Sequence, residues 1–134
     1  DQSEPMLRRA RRRAPAATFA TCELTTYRPA RRFDRVLFAF VLHELDAAAR
    51  RVALTLARDA LAPGGAVTIV DHALPTMGLV PRAVSALVHG FEPATVVDVL
   101  RDGFAPELAD TGLVTARRLS LAAGLAVAMR CRPG

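Results

Sequence analysis

Between Phe33 and Ala73 the sequence reads FDRVLFAFVLHELDAAARRVALTLARDALAPGGAVTIVDHA, two apolar runs either side of one helix-patterned stretch. Arg35 to Leu42 and Ala66 to Val70 are of strand length and almost unbroken in apolar character, which suits strands covered on both faces in a parallel sheet. The stretch between them predicts a crossover helix. Asp46 is placed to cap it, and Val52, Ala53, Leu56, Ala57, Ala60 and Leu61 recur at helical spacing as its inward face. Arg50, Arg51, Arg58 and Asp59 fall among them as solvent contacts. Pro63-Gly64-Gly65 is expected to stop the helix, one of its glycines taking a left-handed conformation at the helix end. The whole is a right-handed βαβ unit.

The rest of the 134 residues fits around that unit as a single α/β domain spanning 1–134. Ser3 and Pro5 announce a helix from Glu4 to about Ala14, with Met6, Leu7, Ala10 and Ala14 inward. Ala17 to Thr21 reads as a short strand ending in a polar turn, Cys22 to Arg32. Residues 74–92 hold two prolines and two glycines around a short apolar helix, a lid segment by composition. Pro93–Asp102 and Pro106–Thr111 are short helices closed by Gly103 and Gly112. Leu113–Leu121 and Leu125–Arg132 flank a connection short enough for an antiparallel hairpin.

All 18 basic residues are Arg and the formal net charge is +5, so a nucleic-acid surface has to be weighed. Their dispersion outside Arg8 to Arg13, with hardly any aromatic residue beside that cluster, argues against one. No apolar run reaches the roughly 18 residues of a membrane span, no signal peptide is expected, and the two cysteines show no metal or redox spacing. The expectation is a reduced, cytoplasmic protein without nucleic-acid or membrane partners, and nothing in the sequence assigns a metal.

Four pieces, in order, resemble the class I S-adenosylmethionine-dependent methyltransferases, particularly the ubiquinone and menaquinone biosynthesis group: Asp1-Gln2-Ser3-Glu4-Pro5-Met6-Leu7, Phe33-Asp34-Arg35-Val36 to Leu42-His43, Leu61-Ala62-Pro63-Gly64-Gly65, and the terminal hairpin. The resemblance implies a partial Rossmann-like sheet, mostly parallel with the C-terminal antiparallel hairpin. It also places the family's first strand, Gly-rich loop, helix and second strand ahead of Asp1. That loop lets backbone approach a cofactor closely at a strand-to-helix turn.

The resemblance further implies S-adenosylmethionine as cofactor and names residues for it. Asp1 matches the acid that accepts from the ribose hydroxyls, as a carboxylate can from two at once. Glu23 and Leu24 stand where the family has "G-D-A" beside the adenine, with Glu for Asp, Leu for Ala and Cys22 for Gly as departures. Phe40 and Val41 end the strand beside the methionine part, or serve as plain core. His43 and His72 each follow the carboxyl end of a predicted parallel strand, the edge where ligands sit in such sheets. His72 reads as a base for a hydroxyl proton. His43 reads as a residue hydrogen-bonded at a helix start or as an acceptor contact, and Val84 and Leu87 of the lid would line an apolar acceptor site.

The strand end Phe38-Ala39-Phe40-Val41 lacks the polar "N/D-P-P-Y/F" of members that methylate planar amino groups, so the expected reaction is O- or C-methylation of a small, apolar molecule. The rival expectation is a non-catalytic methyltransferase-like module that binds a partner, or forms a homodimer, through an incomplete sheet.

Overall fold

Ser3 caps the first helix as its position predicts: its hydroxyl accepts from the amide of Met6 at 3.4 Å, and α1 runs Glu4–Arg13 with Pro5 in the first turn. Of the four residues expected inward only Leu7 is buried, because five arginines in ten residues leave the helix almost no apolar stripe. The computed structural model describes residues 1–73 and 103–134. They fall into two units, Asp1–Ala30 and Arg31–Gly134, each taken by itself below. The lid expected at 74–92, with Val84, Leu87 and His89, and the helix expected at 93–102 lie outside the described residues.

In the first unit the expected strand at Ala17–Thr21 does not form. Apart from a turn bond from the Ala17 amide to the Ala14 carbonyl at 3.0 Å, the backbone partner there is Asp1, whose amino group reaches the carbonyl of Ala20 at 3.4 Å and whose carbonyl accepts from the amide of Cys22 at 3.1 Å. One residue is too short a partner to build a ladder.

The second unit contains the βαβ expected at Phe33–Ala73. β1 (Phe33–Ala39) and β2 (Leu61–His72) pair in parallel, joined by α2 (Ala47–Asp59). After α3 (Ala105–Asp110) come β3 (Leu113–Leu121) and β4 (Ala126–Pro133), the expected hairpin, and the four strands lie in the order β1-β2-β4-β3. Register puts Phe38, Ile69 and Met129 in one row and Val36, Val67 and Cys131 in the next. All but Val36 are buried and share the core with Ala53, Leu54 and Ala57 of α2 and with Phe104 and Leu108. Burial pushes the Cys131 thiol up, as an apolar surrounding disfavours the thiolate.

Two details of α2 differ from expectation. Asp46 caps it, accepting from the amide of Ala49 at 2.8 Å, but the helix ends at Asp59 with Ala60 in a right-handed conformation. Leu61 is already paired with Phe33, so Pro63-Gly64-Gly65 forms the irregular start of β2 rather than the helix stop. Gly64 does take a positive φ of 77°, and a Cβ on Gly65 would stand 2.8 Å from the Ala62 carbonyl oxygen and 3.0 Å from that of Phe33. Backbone cannot yield there as a side chain can. Gly65→Ala should therefore lower stability by about 1–3 kcal/mol, read as a lower midpoint in urea at unchanged slope.

The second difference is Arg50, expected in solvent and found only 3% exposed. Its Nε donates to Glu107 Oε1 at 2.6 Å and its NH1 to the carbonyl of Leu45 at 2.7 Å. Around it, Arg51 reaches Asp110 and Arg58 reaches the carbonyl of Thr111, so three arginines of α2 turn toward α3 and its C-terminal cap. Away from these helices, Arg35, Arg132 and Arg117 surround Arg130 and depress its pKa by mutual repulsion, while its buried Nε has no partner among the described residues. Sequence spacing gave no hint of this gathering, because three different strands supply it.

Candidate active site

The parallel strands β1 and β2 deliver their carboxyl ends side by side, and the chain turns sharply at both. At the end of β1, Phe40 has φ 52°, a left-handed conformation that costs a non-glycine residue of order 1–3 kcal/mol. Its amide still donates to the carbonyl of Val70 on β2 at 2.8 Å, so the kink is held by the sheet. The turn leaves the Phe40 side chain 48% exposed and leads through Val41 into a single turn of 3-10 helix, Leu42–Glu44.

Asp71, the penultimate residue of β2, lies beneath that turn and is fully buried. Four N–H groups converge on it. Oδ2 accepts from the amides of Leu42 at 3.1 Å and His43 at 3.3 Å, and Oδ1 accepts from the amide of His72 at 2.8 Å and pairs with His43 Nδ1 at 2.6 Å. A carboxylate has about four acceptor positions, so Asp71 is saturated. Since it offers no proton, the His43 Nδ1–H donates, and the lone pair of that ring lies on Nε2.

His72 differs from His43 in every one of these respects. Its side chain is exposed and makes no hydrogen bond among the described residues. Its ring sits 4.6 Å from that of His43, edge to face, and 5.1 Å from that of Phe40. The structure thus brings Phe40, Val41, His43 and His72 to one strand edge and fixes only His43 in direction. Asp71, which does the fixing, was passed over in the sequence because an acid ending an apolar strand carries no motif of its own. An acid that must be buried two residues before a break in the strand was the available signal.

The other predicted site residues belong to the first unit. Asp1 is exposed, with Oδ1 accepting from the amide of Ser3 at 2.7 Å, and its backbone bonds draw the Cys22 turn to it. In that turn Glu23 is exposed and accepts from the Thr25 hydroxyl at 2.6 Å, while Leu24 is half-buried. Two accessible carboxylates and an apolar side chain are an acceptor set that suits a ribose diol and an adenine edge.

The parallel pair, extended by an antiparallel hairpin, makes a partial Rossmann-like sheet. The profile of the methyltransferase domain family matches residues 1–65. The chain is similar to the mitomycin 7-O-methyltransferase MmcR, with a TM-score of 0.68 at 19% identity over 97% of this chain and 38% of that one. It is similar to the N-methyltransferase NodS from Bradyrhizobium japonicum WM9, with a TM-score of 0.70 at 20% identity over 99% of this chain and 70% of that one. The glycopeptide N-methyltransferase MtfA gives a TM-score of 0.70 at 18% identity over 100% of this chain and 72% of that one, and MtfA is also known complexed with S-adenosylmethionine. No curated protein matches the chain by sequence. These solved structures show the fold, and the chain spans little more than a third of MmcR and about seven-tenths of NodS and MtfA. Among the described residues no helix is long and apolar enough to cross a membrane.

Proposed function

We propose that this chain is part of a domain that methylates an oxygen of a small, apolar acceptor, with His43 as the base and Asp71 as the residue that positions it. The observation that carries the reading is the 2.6 Å contact between His43 Nδ1 and the buried Asp71. A hydroxyl is a poor nucleophile until its proton leaves. A ring locked with Nε2 outward can accept that proton, and Asp71 then faces the positive charge at Nδ1. His72, the base expected from the sequence, has no such support and is assigned instead, with Phe40, to packing against the acceptor. Val41 follows Phe40 beside the methionine part of the cofactor, and Asp1, Glu23 and Leu24 are assigned to its ribose and adenine. Bound S-adenosylmethionine supplies a methyl group on a sulfonium, so positioning accounts for much of the remaining acceleration.

Titration of S-adenosylhomocysteine into the 134-residue chain tests the cofactor half of this reading. Heat of binding in the micromolar range that is lost in Asp1→Ala is the expected result; a folded chain that gives no heat removes the proposal for this polypeptide. A second reading, self-association, draws on β1 lying, among the described residues, at the edge of the sheet with Leu37 62% exposed. A mass of one chain by light scattering, unchanged over a wide concentration range, would dispose of it.

A further inference from the structure

The sequence points to no metal, yet the fold draws two imidazoles and a carboxylate from separate elements to one strand edge. One ligand-type atom from each of His43, Asp71 and His72 lies within 4.8 Å of the other two. We infer that His43 and His72 form a site for a divalent transition ion of the zinc class, with Asp71 as its outer carboxylate.

The assignment of roles follows from the hydrogen bonds. All four acceptor positions of Asp71 are taken by N–H donors, so it cannot ligate without stripping the amides of Leu42, His43 or His72. What it does instead is hold Nδ1–H of His43, which leaves Nε2 as a fixed, outward donor. A carboxylate on one ring nitrogen with the metal on the other is a recurrent arrangement and strengthens the ligand. His72 supplies the second nitrogen. Its ring is 4.6 Å from that of His43, and being exposed and free of hydrogen bonds among the described residues it can swing the short distance needed to share an ion at about 2.0–2.1 Å from each nitrogen. Imidazole donors select zinc, copper, nickel or cobalt over magnesium or calcium. With only two protein ligands the ion keeps open positions, which water or an acceptor oxygen can fill. Resting on the function proposed above, such an ion would engage the same Nε2 that takes the acceptor's proton, and would compete with methyl transfer.

The test is calorimetric titration of Zn²⁺ into the 134-residue chain in metal-free buffer, without cofactor or acceptor, alongside visible absorption on adding Co²⁺. The expected result is about one equivalent bound, Co²⁺ bands of nitrogen ligation, and loss of both in His72→Ala, whose exposed side chain can go without unfolding the protein. Asp71→Asn should weaken binding about 10–100-fold. A folded chain that binds no Zn²⁺, or His72→Ala binding as tightly as the parent, overturns the inference. Because neither readout involves S-adenosylhomocysteine, a chain that binds zinc and not that ligand keeps this inference while losing the proposed function, and the reverse holds equally.

Discussion

His43→Ala should reduce methyl transfer to a hydroxyl acceptor by roughly 10² to 10⁴-fold, the usual weight of a positioned base. The loss should fall on kcat with S-adenosylhomocysteine affinity unchanged, since the substitution removes a proton acceptor and leaves the assigned cofactor residues alone. His72→Ala is the control in the same assay. Its ring has no hydrogen bond among the described residues, so its loss should act mainly on acceptor KM. Asp71→Asn separates the positioning role from the chemical one: the amide can keep some of the four N–H contacts but can turn its own NH₂ toward Nδ1, favouring the wrong tautomer of His43. If His72→Ala proves the more damaging of the two histidine variants, the base is His72 and the Asp71–His43 pair is only a brace for the turn.

Glu107→Ala should destabilise the Arg31–Gly134 unit by about 3–5 kcal/mol, the cost of stranding one member of a buried ion pair. Arg50 and Glu107 are both almost fully buried, and the rest of the Arg50 guanidinium holds the carbonyl of Leu45. Leu45 closes the turn carrying His43 by donating its amide to the Leu42 carbonyl at 3.1 Å, so the same variant should also loosen the site. Denaturation in urea gives the first effect. The double variant Arg50→Met with Glu107→Leu provides the discriminating comparison, because replacing the pair with apolar groups restores the helix packing without restoring a donor to Leu45. Recovery of stability without recovery of activity would show that the arginine serves the site as well as the core. By contrast the exposed pair of Arg51 with Asp110 at 2.6 Å should be worth well under 1 kcal/mol, since both ends remain in water.

Elements whose stabilising interactions are local or periodic were legible in the residues alone. The βαβ pattern, the caps at Ser3 and Asp46, and the terminal hairpin are written in nearest-neighbour chemistry and all appear, although β1 stops at Ala39 instead of Leu42 with Leu37 exposed on one face, and β2 starts at Leu61 instead of Ala66. Expectation failed where a partner distant in the chain decides. Arg50 looks like a solvent residue until α3, fifty-seven residues on, presents Glu107 to it. Ala17–Thr21 has strand composition but, among the described residues, no strand to pair with. The Pro-Gly-Gly run reads as a helix stop, but pairing of Leu61 with Phe33 had already begun the strand. The site divides in the same way. That histidines lie at the ends of parallel strands follows from order along the chain, so His43 and His72 could both be named. Which of them is oriented depends on a carboxylate twenty-eight residues from His43, brought beneath its ring by the parallel register of β1 and β2. Sequence spacing fixes what a residue can do, and only the pairing of strands decides which neighbour holds it in place to do it.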